Sequence, residues 1–240
     1  MRALLRAEIR KLRTTRTAYA LLAAMVAMAA IGVTATIFQS ERADVVVALL
    51  QFLPLLVGLL VYVLGVRAVT DEFRYGTITP TLLVSAVRWK VVAAKIVVFA
   101  GVGLVFGLIA QGVMVGVAVS LIKARGLDVS LSTADLLGIL GGMALASALW
   151  AVIGVGVGAL VRHQVAAILG GVLWILIGDD VVSGALKGAG KFFPGQAANA
   201  LAHLPRADLL GAWAGGLVFA LYAVLLVSFG SMAMSRRDVP

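Results

Sequence analysis

The stretch TDEFRYGTITPTLLVSAVRWK, residues 70–90, interrupts a chain that is otherwise almost continuously apolar. The chain has 240 residues, of which 62% are hydrophobic and only 13% are charged. A soluble domain is typically about 45–50% apolar and about 25% charged, so this composition predicts a polytopic membrane protein. The polar stretch then predicts a structured segment that lies outside the bilayer, between two membrane spans.

Six apolar runs are the candidate membrane spans. A helical span needs about 20 apolar residues, and helix is expected because lipid offers the backbone no hydrogen-bond partner. The sequence therefore predicts an all-α polytopic membrane protein with a single membrane domain over residues 1–240. The six predicted spans are residues 19–38, 45–66, 96–122, 136–161, 165–178 and 209–234.

The basic residues predict the orientation of these spans. With both termini inside, the inner segments are residues 1–18, 67–95, 162–164 and 235–240, and they hold fourteen of the twenty Lys and Arg residues. Basic residues collect on the cytoplasmic side of a membrane protein, so the predicted orientation is N-in and C-in. The same bias accounts for the net charge of +9, and we expect no nucleic acid as a partner.

Residues 1–18 are predicted to form an amphipathic interfacial helix. Leu5, Ile9 and Leu12 share one stripe at helical spacing. The adjacent stripe consists of Arg2, Arg6, Arg10 and Arg13. Such a helix lies on the membrane surface, with its leucines toward lipid and its arginines toward phosphates. Arginines that only fix the topology are the alternative, and the two interpretations are compatible.

Five glycine pairs have the G-x-x-x-G spacing that lets membrane helices approach closely. Together they predict a tightly packed bundle or oligomer. The pairs are Gly103/Gly107, Gly112/Gly116, Gly138/Gly142, Gly154/Gly158 and Gly211/Gly215.

The polar stretch itself predicts a bent segment in the cytoplasm. Arg67, Asp71 and Arg74 follow at i, i+4 and i+7, so the second span is expected to continue as a charged helical turn beyond the lipid. Gly76 is expected to end that helix. A second short helix is expected to begin soon after, because "TP" offers an N-cap followed by a proline at the first helical position. The segment is either an interfacial hairpin or a docking element for a cytosolic protein.

The sequence DEFRYGTITPTLLVSAVRWKVVAAK, residues 71–95, resembles the loop after the second span of the type-2 ABC exporter permeases. These proteins are the membrane-spanning subunits of ABC transporters. Ala86 stands where many members have proline. The positions that match are Glu72, Arg74, Gly76, Thr77, Leu82, Leu83, Arg88 and Lys95.

The resemblance implies that residues 67–95 form a cytoplasmic coupling loop. Its coupling helix, between spans two and three, would sit in a cleft of a separate ATPase subunit. The coupling segment implied for this chain consists of Asp71, Glu72, Phe73, Arg74, Tyr75, Gly76 and Thr77.

The resemblance further implies a permease subunit of an ATP-driven exporter in the bacterial cytoplasmic (inner) membrane. A second permease copy, identical or related, and two copies of the ABC ATPase would complete it, with ATP and Mg bound in the ATPase. The nearest approach to a P-loop in this chain, ALKGAGKF at residues 185–192, lacks the first glycine and the hydroxyl residue. A stand-alone six-helix secondary transporter or channel is the alternative, and it should carry a charged residue in mid-span.

Catalysis by the chain itself is not expected, nor is a metal site. The chain has no cysteine. Its two histidines, His163 and His203, fall on opposite sides of the predicted membrane and cannot share a metal or a dyad. An aspartyl protease within the membrane needs facing aspartates from different spans, whereas Asp179 and Asp180 are adjacent.

The fifth span raises a question of length. Residues 165–178 make roughly 21 Å of helix, which does not cross the hydrocarbon. Either residues 162–164 are drawn inward, or the helix continues past Asp179 and Asp180. In the second case the aspartates either are ordinary wetted acids, or face a water-filled outer vestibule or pair with a lysine of the following loop, Lys187 or Lys191.

The extracytoplasmic loop 179–208 is semi-apolar and can dip into the outer leaflet as re-entrant half-helices. Gln111 is a lone polar residue in the middle of the third span. It either bonds a neighbouring helix or contacts substrate. The candidate residues of a substrate path are therefore Gln111, Asp179 and Asp180.

Overall fold

The computed structural model describes residues 1–39, 44–77, 88–124, 132–186, 188–203 and 209–236, and within these ranges it contains helices and no strand. A short 3₁₀ turn, Gly190–Phe192, precedes the seventh helix. The helices are α1 (Arg2–Thr14), α2 (Arg16–Gln39), α3 (Asp44–Arg74), α4 (Arg88–Ala124), α5 (Thr133–Val161), α6 (Gln164–Ala185), α7 (Pro194–Leu201) and α8 (Ala212–Arg236).

Five of these helices, α2, α4, α5, α6 and α8, are long and apolar enough to cross a membrane. This confirms an all-helical, multi-span architecture over the described ranges. The predicted second span, residues 45–66, lies within α3, which is not among the five. The count of six spans, the N-in and C-in orientation and the membrane placement of α1 stay predictions.

Helix α5 is the centre of the bundle, packed against α3, α4 and α8. In its most apolar window 72% of the residues are buried, against 39% or less in the other four candidate spans. Trp150 of α5 packs edge-on between Tyr62 of α3 and Phe219 of α8, with ring centroids 6.5 and 4.9 Å away. The aromatic contacts therefore join three helices at one level of the bundle.

Glycines set the distance between α3 and α5. A Cβ atom on Gly154 would lie 2.2 Å from the carbonyl oxygen of Tyr62, and one on Gly65 would lie 2.1 Å from the carbonyl oxygen of Ala151. Real Cβ atoms do not approach a carbonyl oxygen so closely. Backbone therefore lies directly on backbone here, as the G-x-x-x-G spacing predicts.

Two of the other glycine pairs have opposite surroundings. Gly103 and Gly107 of α4 both lie against Ser147 of α5, so this pair also confirms the prediction. A Cβ atom on Gly112 or Gly116, however, would meet nothing within 4 Å. For that pair the expected helix contact is not present within this chain.

Helix α6 shows how the fifth span, which is too short as predicted, becomes long enough to cross a bilayer. The helix begins at Gln164 and continues past Asp179 and Asp180 to Ala185, so the second alternative is correct. Its 22 residues are long enough to cross a bilayer. Within it, Trp174–Gly178 has π-helical geometry, a local widening that is frequent at functional sites.

We expect Gly154→Ala to lower the stability of the bundle, because the new methyl group forces α3 and α5 apart. Overpacking of this kind costs about 1–3 kcal/mol. The measurement is the thermal midpoint of the detergent-purified protein, followed by size-exclusion chromatography. Gly112→Ala is the matched control, since its methyl group enters open space. Equal midpoints for the two variants would contradict the close contact.

Candidate functional site

The polar stretch begins as the last turns of α3. The helix ends at Arg74, and residues 75–77 form a turn in which Gly76 has φ +67° and the N–H of Thr77 donates to the Glu72 carbonyl at 2.9 Å. A left-handed glycine just past the last turn is a common helix stop. The predicted helical extension and its end at Gly76 are therefore confirmed. The helix predicted to start at Thr79 and Pro80 lies outside the described residues.

One face of the α3 end carries a buried charge cluster, which consists of Glu8, Lys11, Glu72 and Lys95. Lys95 is 1% exposed, and Glu8 and Glu72 are each 5% exposed. The Lys95 ammonium donates to Glu72 Oε1 at 2.8 Å and to both carboxylate oxygens of Glu8 at 3.1 Å. Lys11 lies at the rim and donates to Glu8 Oε1 at 2.8 Å and also to Glu72.

The cluster is stable only as a whole, because its two acids and two lysines cancel in charge. An isolated buried charge costs several kcal/mol, whereas a paired one is offset by its partner. Lys95 completes its donor set with the Ala68 carbonyl oxygen at 2.8 Å. Removal of Lys95, or of either acid, therefore leaves an uncompensated charge among side chains that are almost fully buried.

The neighbouring carboxylates change the pKa of Lys11. Burial lowers its pKa, but hydrogen bonds and negative charge from Glu72 and Glu8 outweigh burial and leave the pKa above its ordinary value. The stabilisation from a raised lysine pKa is fully present below the ordinary value and is lost as pH rises through the raised one. At neutral pH this part of the cluster is therefore fully formed.

The cluster joins three helices. Glu8 and Lys11 belong to α1, Glu72 ends α3, and Lys95 lies near the start of α4. Glu72 and Lys95 stand on either side of residues 78–87 in the chain, and their bond joins the end of α3 to the start of α4, a junction that we call the base. Helix α1 is attached to this base from the side.

The inward face of α1 differs from the predicted one. Leu5 and Leu12 pack against the hydrophobic core of the protein, with the buried Glu8 between them, while Ile9 is 46% exposed. Both leucines therefore face the rest of the protein, and the placement of α1 on the membrane surface stays a prediction. The four arginines of the neighbouring stripe are exposed, as a membrane-surface role requires: Arg2, Arg6, Arg10 and Arg13.

The other face of the α3 end is tied to the turn between α5 and α6. Asp71 pairs with Arg67 at 3.1 Å, as predicted, and also accepts a hydrogen bond from the Gln164 amide at 2.9 Å. Arg74 donates to the same Gln164 side chain at 2.9 Å. The Arg162 guanidinium lies 5.2 Å from the centre of the Phe73 ring.

These contacts continue to the last helix, because Arg162 also donates to the Ala233 carbonyl of α8 at 2.6 Å. The end of α3 is thus connected to α1 and α4 on one side and to α5, α6 and α8 on the other. It is the point where the polar end of the bundle is held together.

The seven predicted coupling residues therefore have different environments. Glu72 is buried, and Asp71 and Phe73 are half-buried in contacts within the protein. Residues 74–77, which we call the tip, are exposed, and Tyr75 at its centre is 66% exposed. The Arg74 guanidinium lies 5.6 Å from the centre of the Tyr75 ring. Only the tip offers side chains that a partner could contact directly.

The predicted substrate-path residues do not form one group. Gln111 is buried between α4 and α5, and its amide donates to the Ser147 hydroxyl at 3.4 Å, so it bonds a neighbouring helix. Asp179 is 3% exposed and accepts from the Gly195 N–H at 2.8 Å. Gln196 donates to Asp179 at 3.2 Å and to Asp180 at 2.9 Å.

The partners of the two aspartates among the described residues are thus the first residues of α7. Lys191 lies over the ring of Phe192, at 5.5 Å from its centre, and Lys187 lies outside the described residues. Across the described ranges, no group of three or more His, Cys, Asp or Glu side chains is placed to hold a metal ion.

Sequence reasoning missed the parts of the charge cluster that α1 supplies. Glu8 is the only acid in the first forty residues, and it lies between Leu5 and Leu12 on the same helical face. An acid on the apolar face of a basic helix is the signal that could have found it, because such a residue needs a buried cation.

Comparison with known proteins gives one clear finding. Residues 4–178 match the model of a protein family described as "ABC-2 family transporter protein". The matched part includes the whole charge cluster and the tip. No curated protein matches the chain.

We expect Lys95→Met to destabilise the protein by about 3–5 kcal/mol, because it leaves Glu8 and Glu72 buried without their main cation. The measurement is the thermal midpoint in detergent. Lys123→Met, at the exposed end of the same helix, is the control and should change little. If both variants melt alike, Lys95 does not hold α1, α3 and α4 together.

Proposed function

The chain belongs to the ABC-2 family of transporter proteins, and on this premise we propose that it exports its substrate when a separate ATPase acts on the tip of α3. Membership makes it the permease subunit of an ABC transporter, a multi-pass membrane protein that works with an ABC ATPase. As a permease it is a transport component and not itself an enzyme.

The observation that carries this proposal is the contrast between the tip and its base. The tip is exposed, while Glu72, one turn earlier, is locked to Lys95 in the charge cluster. A coupling element must offer an exposed surface that the ATPase can bind, and it must also be rigidly joined to the helices that it moves. The end of α3 has both properties.

A movement of the tip would spread through rigid elements. Helix α3 is continuous over 31 residues, so a push at its end tilts the whole helix rather than bending a loop. The Glu72–Lys95 bond would move α4 and α1 along with it, and the Arg162 contact with Phe73 would reach α8. In this mechanism ATP closes the ATPase dimer, the tip follows, and the passage between two permease copies opens outward.

The complete exporter needs parts that this chain does not supply. Two permease copies of six spans each, identical or related, would form the passage, and two ATPase subunits would bind ATP and Mg. The orientation is N-in and C-in, which puts the tip and the arginines of α1 on the cytoplasmic face of the bacterial inner membrane. The excess of basic residues in the inner segments supports this orientation.

A single cysteine in the tip tests the orientation and the partner together. The chain has no cysteine, so Tyr75→Cys creates a unique thiol. We expect a membrane-impermeant maleimide to label it only after the cells are permeabilised, and we expect it to cross-link to the ATPase. Phe192→Cys is the control, because Phe192 lies in the predicted outer loop and is 47% exposed. Labelling of position 75 in intact cells would rule out the proposed coupling.

Truncation of the tip side chain tests the energetics of coupling. We expect Tyr75→Ala to weaken capture of the ATPase, and ATP-driven transport with it, by about tenfold or more, as for a central aromatic anchor of an interface. The midpoint of unfolding should not change, because the ring is mostly exposed. Tyr19→Ala, also at an exposed tyrosine, is the matched control.

Transport in inverted membrane vesicles and co-purification with the ATPase are the two readouts. If the tagged chain repeatedly purifies alone and still transports, the alternative of a stand-alone transporter or channel replaces the exporter.

A further inference from the structure

A cavity of about 450 Å³ lies between α3, α5, α6 and α8. This volume is within the range of ligand pockets, about 300–1,000 Å³. Its walls are apolar, apart from two tyrosine hydroxyls. The aromatic residues in them are Tyr62, Trp150, Trp174, Phe193 and Tyr222.

The mouth of the cavity is on the surface of α5 and α6. Of the lining residues, Val161 is 41% exposed, Trp174 is 37% exposed, and Ala166 and Gly170 are exposed as well. Both helices are among those long and apolar enough to span a membrane. A ligand therefore reaches this cavity from the hydrocarbon of the bilayer, which requires a hydrophobic body.

The walls are held in place by contacts within the protein. The Tyr62 hydroxyl donates to the Ala167 carbonyl oxygen at 2.8 Å, and its ring packs on Trp150. Trp174 starts the π-helical stretch, and its ring centroid is 6.3 Å from that of Phe193. The cavity is thus preformed rather than opened by a ligand.

A second cavity of about 60 Å³, with both polar and apolar walls, lies beside the first one, since Trp150 and Ile175 line both. Asp179 and Asp180 line this smaller space. It holds a few waters or a small cationic group, but not the body of an organic molecule. The apolar and the acidic cavity are therefore neighbours with different chemistry.

The two carboxylates give this region its electrostatic character. Both accept hydrogen bonds from α7, yet none of the ion pairs among the described residues includes either of them. Ionisable residues at membrane depth mark the paths of substrates or ions, and acids there favour a cationic one. Their charge attracts a cation, and it repels an anion from the apolar cavity beside them.

We propose that the two cavities together bind a lipophilic organic cation, with its hydrophobic body among the five aromatic residues and its charge toward Asp179 and Asp180. Aromatic faces add cation–π attraction for a ligand that is charged and desolvated. A neutral acyl chain would fill the larger cavity without using the carboxylates. This inference rests on the proposed function, because it names the class of substrate that the exporter would carry.

The test uses two probes of the same shape and opposite charge, tetraphenylphosphonium and tetraphenylborate. Binding to the full chain in phosphatidylcholine nanodiscs, without ATPase, is measured by equilibrium dialysis against empty nanodiscs. We expect saturable binding of the phosphonium and no binding of the borate above the blank. Asp180→Asn should lower the affinity for the phosphonium about tenfold, because it removes one negative charge and keeps a hydrogen-bonding side chain.

A glycine in the cavity wall tests the location. Gly170 lines the cavity, and a Cβ atom added to it would meet nothing within 4 Å. Gly170→Leu therefore adds bulk at the cavity wall without a clash at Cβ. We expect it to weaken phosphonium binding at least about tenfold. Gly184→Leu is the matched control, since Gly184 is an exposed residue of the same helix with open space around it, and it should bind like the unmodified chain.

Equal binding of both probes identifies an apolar lipid site and overturns the proposal, as does normal phosphonium binding to Gly170→Leu. Failure of this inference can be told apart from failure of the proposed function, because the dialysis assay contains no ATPase. A chain that captures its ATPase through the tip but binds no phosphonium overturns only this inference. A chain that binds the phosphonium but captures no ATPase overturns only the proposed function.

Discussion

The ammonium group of Lys95, buried between the carboxylates of Glu72 and Glu8, is the interaction on which the polar end of the bundle depends. A charge with 1% exposure must be neutralised where it lies, so three helices have to meet around it. This requirement fixes α1 against the bundle and joins the end of α3 to the start of α4. Without it the turn of α3 that carries the exposed tip would lose its attachment to both helices.

Helix α3 connects the two regions that matter for function. Its last turns carry the tip and the charge cluster, and Tyr62, about 18 Å earlier along the same helix, forms part of the cavity wall. Gly65 lets this helix lie directly on the backbone of α5. A rigid helix in tight contact with its neighbour can transmit a displacement from the tip to the cavity, whereas a loosely packed helix would absorb it.

Much of the candidate site could be predicted from local sequence. The Arg67–Asp71 pair and the stop at Gly76 follow from spacing along one helix, and the structure confirms both. The role of Glu8 did not follow, because its partner Lys95 is 87 residues away. Only packing brings a residue of the first helix beside the start of α4.

The sequence by itself determined the fold class and the approximate positions of the apolar runs, because length and hydrophobicity are local properties. It left two explanations of the short fifth span open, and the structure decided between them. Tertiary structure alone decided which face of each helix is buried. Spans that are apolar on every side carry no periodic signal of their contacts. The sequence therefore could not show that Gly154 lies at a helix interface within the chain and that Gly112 does not. The same holds for Asp179, whose partners on α7 were decided by where that short helix packs.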